Sequence, residues 1–316
     1  PEPLAAQPAT TVAEPIPIPP SSPRGRLDPG QDAERLDLWE RVRDNYSIPD
    51  FDGDLVRKWE QFYANQPDYV QRMAERGGRY LFHIVEEVQK EGLPIELALL
   101  PFIESAFNPQ ALSRAKASGM WQFMPGTGKD YDLRQNLFRD DRRNVLSSTR
   151  AALAYLKRLH KLFDDWHLAL AAYNWGQGNV MRELDRNRRA GKALDYASLN
   201  MPAETRNYVP KFQAMKNIVA RPAAFALSLP PLENHPYFLT VPIERDIDVA
   251  LVAELAGVTV DEFHQLNPQL NKPVILAAAT PQVLLTYDAA NRFVSGLAQV
   301  KRPLSSWTAW VAPRNL

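Results

Sequence analysis

The chain has 316 residues, 45% of them hydrophobic, and its 37 lysines and arginines balance 37 aspartates and glutamates. That length holds one sizeable core plus a smaller second domain, and the zero net charge lacks the basic excess of a duplex binder, so no nucleic acid is expected as a partner. Cysteine is absent, which excludes disulfides, thiolate metal sites and cysteine nucleophiles without fixing a compartment.

Residues 1–30 carry nine prolines and no apolar periodicity, the pattern of a disordered or polyproline tether. The chain opens on Pro1 rather than Met, which leaves room for an export signal cleaved from its front. From about Ala33 the pattern turns helical: Leu36, Trp39, Val42 and Tyr46 share one face, and the run stops at Pro49. A second helix is expected over 54–65. A third opens at Pro67 and runs to Gly92, burying Tyr80, Leu81, Ile84, Val85 and Val88. Pro94 opens a fourth through Leu97, Leu100 and Ile103, ending near Phe107.

Residues 108–146 read as irregular, with Gly119, Pro125, Gly126 and Gly128. Ser147 or Ser148 is the expected cap of a long helix with Ala152, Leu156, Leu159 and Phe163 on its apolar face. A short alanine-rich helix follows and breaks at Trp175-Gly176, and two more cover about 177–190 and 203–219. The locally basic stretches 134–161 and 182–192 read as solvated helix faces, with a surface for an anionic polymer as the alternative. Composition shifts at 221–236, which holds four prolines. Beyond it, strands over 237–243 and 282–287 flank helices over 248–256 and 260–266, a small βααβ module. No apolar run approaches the roughly 20 residues of a membrane span.

Chemically useful residues concentrate in Ile103-Glu104-Ser105-Ala106-Phe107, Ser113, and the run from Ser118 to Thr127. Glu104 ends an apolar helix, where desolvation raises a carboxyl pKa as a glycosidic general acid requires. The plain alternative is a partly exposed residue near a helix end. No Asp or Glu lies between Glu104 and Asp130, whereas hydrolytic glycosidases pair two carboxylates; separation in sequence does not exclude a second one in space. A second cluster, Ala171-Ala172-Tyr173-Asn174-Trp175-Gly176, presents an aromatic and an amide at a helix end, or is a plain helix stop. Tyr208, in Asn207-Tyr208-Val209-Pro210, is a third element or a core tyrosine. The five histidines show no metal-ligand spacing, so no metal and no cofactor are expected.

Four of these motifs, taken in order, resemble the family 1 lytic transglycosylases of lysozyme-like fold: Glu104-Ser105, Gly119-Met120-Trp121-Gln122 followed by Met124-Pro125-Gly126-Thr127, Ala172-Tyr173-Asn174-Trp175-Gly176, and Tyr208. Met120-Trp121 departs from the usual Leu-Met and matches a membrane-bound subgroup with a helical extension, a lipid anchor and C-terminal LysM modules. The 241–287 segment is similar to a divergent LysM, with Leu266-Asn267-Pro268 as its best local match, and the 307–310 stretch Trp-Thr-Ala-Trp resembles the lead-in to another.

The resemblance implies a mainly α fold: a tether over 1–30, a helical extension over 31–93 packed on a catalytic domain over 94–222, a linker over 223–236, a small α+β LysM-like (βααβ) module over 237–290, and a tail over 291–316. It implies cleavage of the MurNAc-β-1,4-GlcNAc bond of peptidoglycan glycan strands with 1,6-anhydro ends, Glu104 acting as acid and then base, in cell-wall remodelling and turnover. Ser113 would bond Glu104 or the N-acetyl carbonyl, Gln122 and Asn174 would hold substrate, and Tyr173 would orient the acid or stack on a sugar. Met124 and Tyr208 would wall the cleft, and Ser105 and Ser118 would position backbone or acetamido group. It further implies a periplasmic monomer tethered to the outer membrane, although the anchor cysteine is not in this chain. Two points stay open at this level: whether the module binds GlcNAc chains or only braces the catalytic domain, and whether cleavage is endo or exo. A hydrolase of the same fold and a non-catalytic wall binder are the competing readings.

Overall fold

The computed structural model describes residues 37–44 and 46–306. The expected tether over 1–30, the helical start at Ala33 and Leu36, and the 307–310 stretch lie outside the described residues. The rest is mainly helical, with two small two-stranded sheets near its C-terminal end.

The helical extension comprises α1 (Leu38–Arg43), α2 (Asp54–Ala64), α3 (Pro67–Gly77) and α4 (Leu81–Lys90). The single helix expected from Pro67 to Gly92 is thus two. They part at Gly77-Gly78, where chain and side chains approach too closely for a Cβ: one on Gly77 would stand 3.0 Å from the Phe107 ring and one on Gly78 2.7 Å from Leu232. Phe107 itself is fully buried, worth roughly 2 kcal/mol of apolar transfer.

The next element starts as a 3-10 turn, Ile95–Leu99, before α5 (Leu100–Ser105). Pro101 occupies the first turn of α5, where its missing N–H costs nothing. The expected irregular stretch contains one short helix, α6 (Pro125–Asp130). Helix α7 (Val145–Phe163) is capped by Asn144, whose side chain accepts from Ser147 N at 2.8 Å. That replaces the serine cap expected from the sequence; an asparagine accepts as well as a serine there. Helix α8 (Trp166–Trp175) is capped by Asp165 and ends at Gly176, and α9 (Gln177–Arg189) follows. Helix α10 (Ala203–Ala220) packs against α2, α5 and α8 and buries Tyr208, Val209, Phe212, Met215, Ile218 and Val219.

The small module pairs β1 (Leu239–Pro242) antiparallel with β4 (Gln282–Leu285) and β2 (Ile247–Asp248) with β3 (Val274–Ile275). Between them lie α11 (Val249–Ala256) and α12 (Val260–Leu266), the latter opened by a Thr259/Glu262 capping box. The strand expected to reach Tyr287 ends at Leu285, and an unforeseen helix, α13 (Tyr287–Leu297), runs on across position 290. It buries Ala289, Ala290 and Phe293 against the module's own core. Apolar positions 289, 290, 293 and 297 sit at helical spacing, a signal the sequence carried and the strand assignment masked.

The module is seated on the helical domain by polar contacts. Asp140 N donates to Gln269 O and Asn271 N to Phe138 O, both at 2.8 Å. Buried Arg139, paired with Asp141, donates to Ala279 O and to Thr280 Oγ1. Tyr80 Oη donates to Gln265 O at 2.6 Å.

Candidate active site

Helix α5 ends when Ala106 and Phe107 turn left-handed at φ 52° and 56°, which leaves Glu104 at the floor of a cavity of about 610 Å³. That volume suits a ligand of several hundred daltons. Glu104 is partly exposed toward the cavity, but protein surrounds its carboxyl group and burial pushes its pKa up to about 7. A hydrogen bond donated by Tyr208 Oη to Glu104 Oε1 and the charge of Lys211 oppose that rise, and Glu204 adds to it. A carboxyl group that titrates near neutrality can donate a proton and take one back.

The loop after Glu104 is held by its own backbone. Ser105 Oγ donates to Met120 O at 2.9 Å, tying the turn to the following motif. Gly119 stands at φ 85°, and a Cβ there would lie 2.0 Å from Arg142 O, so no other residue fits. Trp121 is fully buried and its indole donates to Thr149 Oγ1 at 3.1 Å. This accounts for the Met-Trp departure: the ring fills the core beneath the cleft, and the Trp121 carbonyl accepts from Tyr173 Oη at 2.9 Å.

Of the residues singled out in the sequence, Glu104, Ser113, Gln122, Met124, Tyr173, Asn174 and Tyr208 all line this cavity. Their contacts differ from expectation in several places. Ser113 Oγ accepts from Ala117 N at 2.9 Å and makes no hydrogen bond to Glu104 among the described residues. Gln122 Nε2 donates to Gly119 O at 2.8 Å, which spends its amide on the loop and leaves its oxygen for the cavity. Asn174 is tied to the start of α10: its Oδ1 accepts from Thr205 Oγ1 at 2.8 Å and its Nδ2 donates to Glu204 at 3.3 Å. Tyr208, expected as a wall, is the residue that bonds the acid, while Tyr173 is bonded to backbone. Burial together with the Glu104 charge raises both tyrosine pKa values well above the ordinary range, so both remain donors. Ser105 and Ser118 do not line the cavity; Ser118 is buried and pairs through its backbone with Phe123.

The sequence reading missed several residues of this cavity. Trp59 comes from α2, Tyr155 from α7, and Glu204 and Lys211 from α10, which also brings Asn207. Glu204, Asn207, Tyr208 and Lys211 fall at helical spacing from one another, the one signal that would have grouped them with Tyr208. Glu204 also supplies the second carboxylate that local sequence lacked, though it is exposed and held by Asn174.

Two family models and several known proteins match this chain. Residues 83–196 match the transglycosylase SLT domain, and residues 237–302 match the LysM-like domain of lytic transglycosylase MltD. Over 263 residues the chain is 37% identical to membrane-bound lytic murein transglycosylase D of Escherichia coli (strain K12), covering 83% of this chain and 58% of that protein. The chain thus spans little more than half the length of that relative. It is also 37% identical over 170 residues to a putative tributyltin chloride resistance protein of Alteromonas sp. (strain M-1), 80% of which it covers. Among solved structures, lytic transglycosylase Slt from Pseudomonas aeruginosa, an inactive mutant, aligns with 48% of this chain and 25% of its own at 26% identity and a TM-score of 0.36. The 70 kDa soluble lytic transglycosylase of Escherichia coli aligns with 46% and 24% at 23% identity and a TM-score of 0.35. With an SLT domain over the Glu104 cleft and an MltD-type LysM-like domain behind it, this chain belongs to the lytic transglycosylase family.

Proposed function

We propose that this chain cleaves the MurNAc-β-1,4-GlcNAc bond of peptidoglycan without water, leaving 1,6-anhydro-MurNAc ends. The observation that carries the reading is Glu104: a carboxyl group at the floor of the cavity with its pKa raised to about 7 by burial. Protonated Glu104 donates to the glycosidic oxygen, and the bond to C1 of the muramic acid breaks. The sugar's own N-acetyl carbonyl stabilises the positive charge at C1. The Glu104 carboxylate then takes the proton of the C6 hydroxyl, and O6 closes on C1. Because the nucleophile belongs to the same sugar, its effective concentration is high and no cofactor is required.

In this reading Tyr208 holds the Glu104 carboxyl, and Gln122, Asn174, Met124 and Tyr173 shape the cleft for sugar groups, with Ser113 at its rim. Ser105 and Ser118 act at one remove, by fixing the loop. The catalytic unit is 94–222, the described part of the 31–93 extension packs on it, and the module over 237–290 serves at least as a brace through Arg139 and Asp140. The reading places the chain in the periplasm on a tether to the outer membrane, acting as a monomer in wall turnover. Shifts in the module's NMR signals on titration with a chitin-type oligosaccharide would add glycan binding to its role.

Glu204 favours one rival, a hydrolase of the same fold that uses a second carboxylate. Digestion of purified sacculi by the wild type, Glu104→Gln and Glu204→Gln separates the two. The expected products of the wild type and Glu204→Gln lie about 18 mass units below hydrolysis products, and Glu104→Gln loses activity on the order of 100- to 10,000-fold. Reducing-end products that depend on Glu204 would establish the hydrolase instead.

A further inference from the structure

Lys211 is a half-buried cation that the reaction as described does not use. It lies on α10, one turn beyond Tyr208, and lines the same cavity as Glu104. Its Nζ donates to Ile103 O at 3.3 Å, the carbonyl immediately before Glu104. The ammonium also stands over the Trp59 ring, 5.1 Å from its centroid, a geometry in which an aromatic face attracts a cation. Trp59 is in turn fixed by its indole donating to Asn207 Oδ1 at 2.9 Å and by an edge contact with Phe62. The extension therefore reaches into the cavity and pins a positive charge beside the acid. Among the described residues, Lys211 is the one cation of the cavity lining.

We propose that Lys211, held by Trp59, is a positioning residue that stabilises the carboxylate form of Glu104 during the proton-transfer cycle. The inference rests on the acid/base reading above and deepens it. When Glu104 gives its proton to the glycosidic oxygen, negative charge appears on a carboxyl group that burial has desolvated. A fixed ammonium nearby, together with the Tyr208 hydroxyl, lowers the cost of that charge. Taking the C6 proton afterwards restores the neutral acid, so the lysine returns to its starting surroundings with no net change. The groups facing Glu104 are the Tyr208 and Tyr173 hydroxyls, the Glu204 carboxylate and Lys211. Glu204 opposes the lysine, and both tyrosines stay neutral. Burial in turn depresses the Lys211 pKa, against the pull of Glu104 and then Glu204.

The test is a carbon-13 NMR titration of the Glu104 side-chain carboxyl, its signal assigned by its loss in Glu104→Gln. Three variants accompany the wild type. Lys211→Gln retains a donor for Ile103 O without charge, Lys211→Met removes both, and Lys211→Arg keeps the charge. The midpoint should rise by about one pH unit in the Gln and Met variants and return toward wild type in the Arg variant. The alkaline limb of the kcat profile on soluble glycan fragments should move with it, while KM stays within about twofold. An unchanged midpoint in either folded neutral variant overturns the proposal, as does a shift in Lys211→Arg equal to that in Lys211→Met. The titration does not depend on product identity. Wild-type products without an anhydro ring would therefore sink the reaction assigned above while leaving the electrostatic result legible.

Discussion

The same pair of elements, 95–105 and α10, makes two carboxylate–lysine arrangements with opposite outcomes. At the inner end, Glu96 and Lys216 are both buried, 0% and 1% exposed, with Nζ and Oε1 3.6 Å apart. Glu96 Oε1 also accepts Ser47 N at 2.9 Å and Ile48 N at 2.6 Å, and Lys216 donates to Ile48 O at 3.0 Å. At the cavity end, Glu104 accepts one hydroxyl and its lysine bonds a carbonyl instead. At Glu96, two backbone N–H groups and an ammonium meet one carboxylate oxygen and tie the 46–51 segment to the core. A carboxyl group given a single neutral donor is left near the point where it can gain or lose a proton. Backbone donors and a contacting ammonium mark the structural residue, and a single hydroxyl at a cavity wall marks the chemical one.

The comparison breaks most severely at Glu96. Glu96→Ala leaves the Lys216 ammonium with only Asp50 and the Ile48 carbonyl, and removes the acceptor of two backbone N–H groups. A loss of about 3–5 kcal/mol is expected, read from the urea midpoint at unchanged m. A loss under about 1 kcal/mol would mean that Asp50 and the Ile48 carbonyl suffice to hold the lysine.

Glu104 should behave in the opposite way. Its pKa in the folded chain, about 7, stands above the ordinary 4.5. The fold therefore favours the protonated acid, and stability falls as pH rises from 4.5 to 7, then levels off. Glu104→Gln removes that slope. It should be more stable than wild type by up to about 3 kcal/mol at pH 8 and by little at pH 4. Parallel denaturation curves at the two pH values decide the matter; an equal gap at both would mean that Glu104 is not the titrating group.

The smallest effect sharpens the contrast. Tyr208→Phe takes from Glu104 the hydrogen bond that lowers its pKa. The activity profile should shift to higher pH and the rate fall roughly tenfold, with the fold retained. A shift to lower pH would reverse the assigned direction of that bond's effect.

Much of this site was legible in the chain. Glu104 stood out because an apolar run precedes it, and the order of the four motifs pointed to one family. Those signals are local, and local backbone chemistry sets them. Lys211 and Trp59 were not legible, because an isolated lysine and an isolated tryptophan look the same on any helix face. The Ser113 contact with Ala117 was not legible for a related reason: a serine in a tight loop bonds its own backbone as readily as a neighbour's side chain.

Helix positions, the break at Gly176 and the two-part composition follow from the sequence by itself, since periodicity and turn chemistry act over a few residues. The division at Gly77-Gly78, the seating of the small module on Arg139, and the gathering of Trp59, Glu104, Glu204 and Lys211 around one cavity were decided by the tertiary structure. The physical reason is that burial and electrostatic coupling depend on which segments α10 meets, and some of those lie far away along the chain, as Glu104 does from Tyr208 at a separation of 104.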